Sequence, residues 1–172
     1  MKNITKLFAI ALVVLGSAAT SFAQVHATAN ASANIITPIA INKTVDLNFG
    51  NISVSNTGGT VILDPSLAGT RTATGGVTLP AVTGVFTAAK FVVTGLGTST
   101  YSISLPAASI SLSDGASHTM SVGTYTSTPS STGVLTAGTQ DIYVGATLTV
   151  AGLQAAGLYT NTTDLTVTVN YN

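Results

Sequence analysis

The residues able to do acid–base, nucleophilic or metal chemistry are few and scattered. His26 and His118 are the only imidazoles, and the five Asp (Asp46, Asp64, Asp114, Asp141, Asp164) stand singly with no Glu anywhere in the chain. A metal site draws on several N, O or S ligands. Two separated His and isolated Asp do not supply that set, so no metal or cofactor is expected. No Cys exists to act as nucleophile, thiolate ligand or disulfide partner. Ser is abundant, but no G-x-S-x-G elbow is present to activate one. Gly95-Leu96-Gly97 lacks the third glycine and following helix of a dinucleotide loop, and Asp114-Gly115 reads as a hairpin turn, outside any calcium-loop pattern. Asn30, Asn42, Asn51 and Asn161 head N-x-[ST] triplets, which arise readily in a Ser/Thr-rich chain. The five Tyr are spread along the chain, and packing is their expected role. No catalytic residue is assigned, and the chain is expected not to be an enzyme.

Composition points the same way. Charged residues make up 6% of the 172 residues, against roughly 25% in ordinary soluble domains. Five basic residues give no electrostatic footprint for nucleic acid. A hydrophobic fraction of 45% is too high for disorder.

The first 23 residues read as a secretory leader. Lys2 and Lys6 form a basic start, 7–15 is an unbroken apolar run, and small residues lead to Ser21-Phe22-Ala23. Cleavage is expected after Ala23. The run is too short to span a bilayer, which takes about 20 residues, so no stable membrane insertion is expected after cleavage. Residues 24–172 then carry Lys43, Arg71 and Lys90 against the five Asp, and their length suits one domain.

Strand signals fill that domain. Phe91–Thr94 is β-rich, Tyr101–Leu105 and Ile110–Ser113 alternate apolar with polar, and the stretch from Leu135 to Val150 contains Ile142–Val144 and Leu148–Val150. Turns are expected at Asn56–Gly59, Gly75-Gly76, Gly95–Gly97, Asp114-Gly115 and Ala151-Gly152, and Tyr125–Gly133 is expected to be a loop. Short alternating strands between turn signals predict an all-β sandwich, with helix only in the leader. Thr and Ser suit the solvent face of such a sheet. They protect open edges poorly, and Lys, a usual edge blocker, is nearly absent.

The two ends carry the functional signal. From Gln24 onward, Val25, Ala27, Ala29, Ala31 and Ala33 alternate strictly with polar residues, so an extended segment would show one apolar face. At the other end Leu165, Val167, Val169 and Tyr171 line one face of a strand close to Asn172. The domain is expected over 34–172, ending on a core strand that lacks a neighbour. Residues 24–33 are expected to act as a donor strand for a second copy, with 165–171 as one wall of the groove that receives it. Such strand addition is head-to-tail and builds an open filament. The Ala methyls are small, each about 0.8 kcal/mol if buried. The alternative is a monomeric secreted or cell-surface adhesin-like module whose leading segment pairs within its own chain.

The stretch Ala33-Asn34-Ile35-Ile36-Thr37-Pro38-Ile39-Ala40-Ile41, then Asp46-Leu47-Asn48-Phe49-Gly50-Asn51-Ile52, resembles the opening of the domain of unknown function 4402 family. Gly138–Gln140, Tyr143–Val150, Gln154–Tyr159 and Leu165–Tyr171 resemble its ending, and are similar also to the spore coat protein U domain and to archaic chaperone–usher pilins. The resemblance implies an Ig-like sandwich exported from a Gram-negative bacterium. In the pilin branch it implies a homopolymer, a periplasmic chaperone, an outer-membrane usher, and a final location on the cell surface. Tyr171 stands where such pilins often carry a penultimate aromatic. The chain departs from them in having no disulfide and in its Ala-rich leading segment.

Overall fold

A computed structural model describes residues 24–161 and 165–172. The expected leader and its helix lie outside them, as does Asp164. Within the described residues the chain is all-β, with eleven strands and no helix. They are β1 (Ala40–Val45), β2 (Ser53–Leu63), β3 (Arg71–Thr78), β4 (Ala89–Thr94), β5 (Thr100–Ser104), β6 (Ile110–Ser113), β7 (Thr119–Thr128), β8 (Thr132–Val134), β9 (Thr139–Val150), β10 (Thr160–Asn161) and β11 (Thr168–Tyr171). Residues 36–172 form one compact unit. The described part of the other unit, 24–35, carries no strand, and all of its residues are exposed.

Two curled antiparallel sheets make a sandwich-like fold. The larger runs β1-β4-β9-β7-β6-β10, and the β2–β3 hairpin joins it through β9. The smaller runs β11-β5-β8. β9 is the spine. Its first half pairs β4, from Thr139↔Thr94 to Val144↔Ala89, and its second half pairs β2, from Ala146↔Leu63 to Val150↔Gly59. Side chains alternate along a strand, so Ile142, Val144, Ala146, Leu148 and Val150 all point inward and are buried. They line two apolar clusters in turn. The first joins β9 to Phe91 and Val93 of β4, Tyr101 and Ile103 of β5, Leu135, Val167 and Val169. The second joins β9 to Val61 and Leu63 of β2, Val77 of β3, Val122 of β7 and Phe49.

The strands expected at Phe91–Thr94, Tyr101–Leu105, Ile110–Ser113 and within 135–150 are β4, β5, β6 and β9. Two expectations are corrected. Asn56–Gly59 and Gly75-Gly76 do not reverse the chain; they lie inside β2 and β3, where the pairing register shifts between Val54 and Gly59. Glycine is needed there because the two backbones nearly touch. A Cβ at Gly59 would lie 2.0 Å from the Thr74 carbonyl oxygen, and one at Gly76 would lie 1.9 Å from that of Thr57. Nor is Tyr125–Gly133 a loop. β7 runs on to Thr128 and β8 begins at Thr132. The Ser/Thr-rich composition that suggested a loop serves a strand instead: Ser127 is buried, and its hydroxyl donates to the Pro129 carbonyl at 2.9 Å. Ahead of it β7 takes in an extra residue between Gly123↔Thr147 and Thr126↔Gly145, with Thr124 at φ 49°. This bulge tightens the local twist.

Candidate functional site: the gap between the first and last strands

β1 and β11 are edge strands of different sheets, and they face each other. β1 pairs only β4, and β11 pairs only β5, among the described residues. The two strands come within 8 Å between Cα atoms without pairing. Neighbouring strands in a ladder lie about 4.8 Å apart.

The edge of β11 that faces away from β5 can be specified by residue. Asn172 N–H donates to the Thr100 carbonyl at 3.3 Å. In an antiparallel ladder every second residue points its N–H and C=O at the partner strand. Asn170 and Thr168, registered on Ser102 and Ser104, therefore share that direction with Asn172. The main-chain groups of Val169 and Tyr171 point the other way, to the free edge. The side chains follow the expected alternation: Val167 and Val169 are buried, Leu165 and Tyr171 half-buried, and Thr166, Thr168 and Asn170 exposed. The strand itself begins only at Thr168, so Leu165 and Val167 continue its apolar face without belonging to it. Beneath the gap lies the first apolar cluster, with Ile39, Ile41, Leu47, Leu105, Leu165 and Tyr171 packed part-buried against it.

Tyr171 closes one end of the gap. Its hydroxyl accepts the Leu96 N–H at 2.7 Å and donates to the Thr37 carbonyl at 3.0 Å. Gly95 makes room, since a Cβ there would lie 2.3 Å from the phenol oxygen. The last strand is thereby tied to the β4–β5 loop and to the segment leading into β1. Replacing Tyr171 by Phe keeps the ring and removes both hydrogen bonds. The expected loss is about 1 kcal/mol in urea denaturation; an unchanged midpoint would show that the phenol holds nothing. Below the gap, the buried Tyr101 hydroxyl donates to Gln140 Oε1 at 2.7 Å, and the same oxygen accepts the Val134 N–H at 2.9 Å. Burial pushes the Tyr101 phenol above its usual pKa.

The expected donor residues Val25, Ala27, Ala29, Ala31 and Ala33 are all exposed, and Val25 keeps 92% of its surface in solvent. They lie in the unit 1–35, whose described residues, 24–35, carry no strand. The sequence reading assigned one wall of the gap and missed the other. Ile39 and Ile41 entered only through the family resemblance, and Gly95 only as a turn residue.

Among the described residues, those with chemical potential are spread over separate parts of the fold. His118 Nδ1 lies 2.6 Å from Asp114 Oδ2 across the β6–β7 turn, and Asp114 Oδ1 accepts the Ala116 and His118 N–H groups at 2.9 and 3.3 Å. The hydrogen bond from His118 chiefly holds the Asp114 carboxyl below the usual carboxylate range, and burial opposes it. A depressed carboxyl contributes stability that is present above the usual carboxylate pKa and is lost as pH falls through the depressed value. Asp114→Asn can keep the backbone bonds and loses the charge. Its destabilisation relative to wild type should be fully developed at mildly acid pH and should vanish in strong acid. A gap that stays constant down to the lowest pH would contradict this. Lys90 and Asp141 pair at 2.8 Å on the outer face of β4 and β9, and that hydrogen bond raises the Lys90 pKa. Such an exposed pair is worth little. Among the described residues no three His or Asp side chains are grouped to hold a metal ion.

A family model described as "Domain of unknown function (DUF4402)" matches residues 39–171. No curated protein and no solved structure matches the chain. The match begins at Ile39 and ends at Tyr171, so it takes in both walls of the gap.

Proposed function

The chain belongs to the DUF4402 family, and from that premise and the unpaired edges of β1 and β11 we propose that it is an exported structural subunit of a bacterial surface fibre. Residues 24–33 of one copy add a strand between β1 and β11 of the next, and these two strands part from their closest approach, within 8 Å, to the roughly 9.6 Å that two ladder spacings take. The observation that carries this reading is the outward-facing main chain of Val169 and Tyr171 beside a buried apolar floor. An edge of this kind is a template for another strand. Ten residues extend over roughly 33 Å, more than the roughly 20 Å that the six residues of β1 cover. The small Ala side chains add little burial, so main-chain hydrogen bonds to the two edges are the principal attraction.

A chaperone that covers the gap before assembly, an usher that presents the subunit, and a cell-surface destination complete the proposal. The test compares the full chain with one lacking 24–33, each expressed from its first residue and examined after export. The full chain should give SDS-resistant ladders and filaments, and the shortened chain only monomers. Equal monomers from both would overturn the reading. A monomer stabilised by a glycan or host protein would favour a binding module instead.

A further inference from the structure

We infer that the loop 151–159 is a docking surface for a second copy of this chain, whose opposite end it meets in the fibre. This deepens the strand-addition reading and rests on it. The twelve residues of β9 extend over about 40 Å and define two ends of the unit 36–172. At the Thr139 end lie Thr94 and Ala40, in register with it, and Thr37, held by Tyr171. The leading segment therefore departs from this end. At the Val150 end lies the loop 151–159.

That loop is braced from within. Leu153 N–H donates to the Ser55 carbonyl at 2.9 Å, Gln154 Nε2 donates to the Thr119 carbonyl at 3.3 Å and to the Tyr159 hydroxyl at 2.9 Å, and that hydroxyl donates to the Ala155 carbonyl at 2.9 Å. Yet Leu153 is 79% exposed and Leu158 is 82% exposed. The loop contains no charged residue. The Thr139 end also shows apolar side chains, Ile36, Leu96 and Val134, each between 41% and 48% exposed.

Strand direction decides which ends meet. β1 starts at the Thr139 end and β11 finishes there, so an inserted strand runs parallel to one and antiparallel to the other. Parallel to β11, the inserted segment would emerge at the acceptor's Thr139 end. Like ends would then face each other, and the pair could close by reciprocal exchange. Antiparallel to β11, it emerges towards the acceptor's Val150 end. Unlike ends then meet, and the contact repeats without closing. An open fibre thus places Leu153 and Leu158 of one copy against Ile36, Leu96 and Val134 of its donor.

The chain has no Cys, which makes disulfide trapping clean. Leu158→Cys combined with Leu96→Cys should give a long disulfide ladder under oxidation. Leu158→Cys combined with Leu67→Cys, whose loop lies beside the middle of β9, should stop at dimers. Leu153→Ser with Leu158→Ser should melt as wild type and raise the concentration needed for filaments about tenfold. Filaments that depend on 24–33, with equal ladders from both cysteine pairs or with no effect of the serines, would overturn the end-to-end contact and leave strand addition standing. Serine variants that keep full assembly and lose binding to lipid vesicles or to another protein would overturn it too. Absence of any filament from the wild type would remove the premise.

Discussion

Gly145→Ala is expected to cost the fold about 3 kcal/mol, at the upper end of the overpacking range. Gly145 is buried in β9, between the half paired with β4 and the half paired with β2. A Cβ there would lie 2.1 Å from the Leu63 carbonyl oxygen, 2.8 Å from the Pro65 nitrogen and 2.9 Å from the Asp64 carbonyl carbon. All three are main-chain atoms, so no side-chain rotation relieves the clash. The end of β2 would have to move away from β9, taking Leu63 out of the second cluster. The entropy that Ala saves in the unfolded chain, about 0.5–1 kcal/mol, offsets only part of this. Urea denaturation of the purified chain measures it, and a midpoint equal to wild type would refute the close approach.

Ile142→Ala should cost about 4 kcal/mol. Ile142 is wholly buried in the first cluster, between Phe91 of β4 and the residues of the smaller sheet. Removing three buried carbons loses their transfer energy and leaves a cavity among rigid β-strands that cannot collapse into it. Against a total stability of 5–15 kcal/mol, that loss should leave the chain near its folding threshold. The same cluster lies beneath β1 and β11, so under the proposed strand addition the variant should also fail to assemble. Thr149→Ala, on the exposed face of the same strand, should change stability by no more than about 0.5 kcal/mol. If the two substitutions cost the same, the inward face of β9 has been misassigned.

The legible part of the fold was local. β-rich composition marked β4 and the segments of β9, and period-two alternation marked β5 and β6, because half-buried strands must present every second residue to the core. The same alternation marked 165–171 as an inward-facing wall. Glycine and Ser/Thr composition misled where they were read without partners. Gly58-Gly59 and Gly75-Gly76 resemble turn punctuation, but their use is to let two main chains come close. The Thr/Ser run through 125–133 resembles a loop, but β7 needs those residues at its bulge and at the buried Ser127. The β2–β3 hairpin went unseen for the same reason, since its signal is interrupted by the glycines that join it.

The amino-acid sequence by itself determined that the described residues are all-β and that 24–33 and 165–171 each alternate apolar with polar residues. These follow from residue type and spacing within a single segment. Tertiary structure alone decided that β1 and β11 face each other across a gap, that Tyr171 ties off its end, and that β9 threads both clusters. Those facts depend on which strand lies beside which. Strand order is set by long-range pairing, whose partners are dozens of residues apart, and no local pattern encodes it.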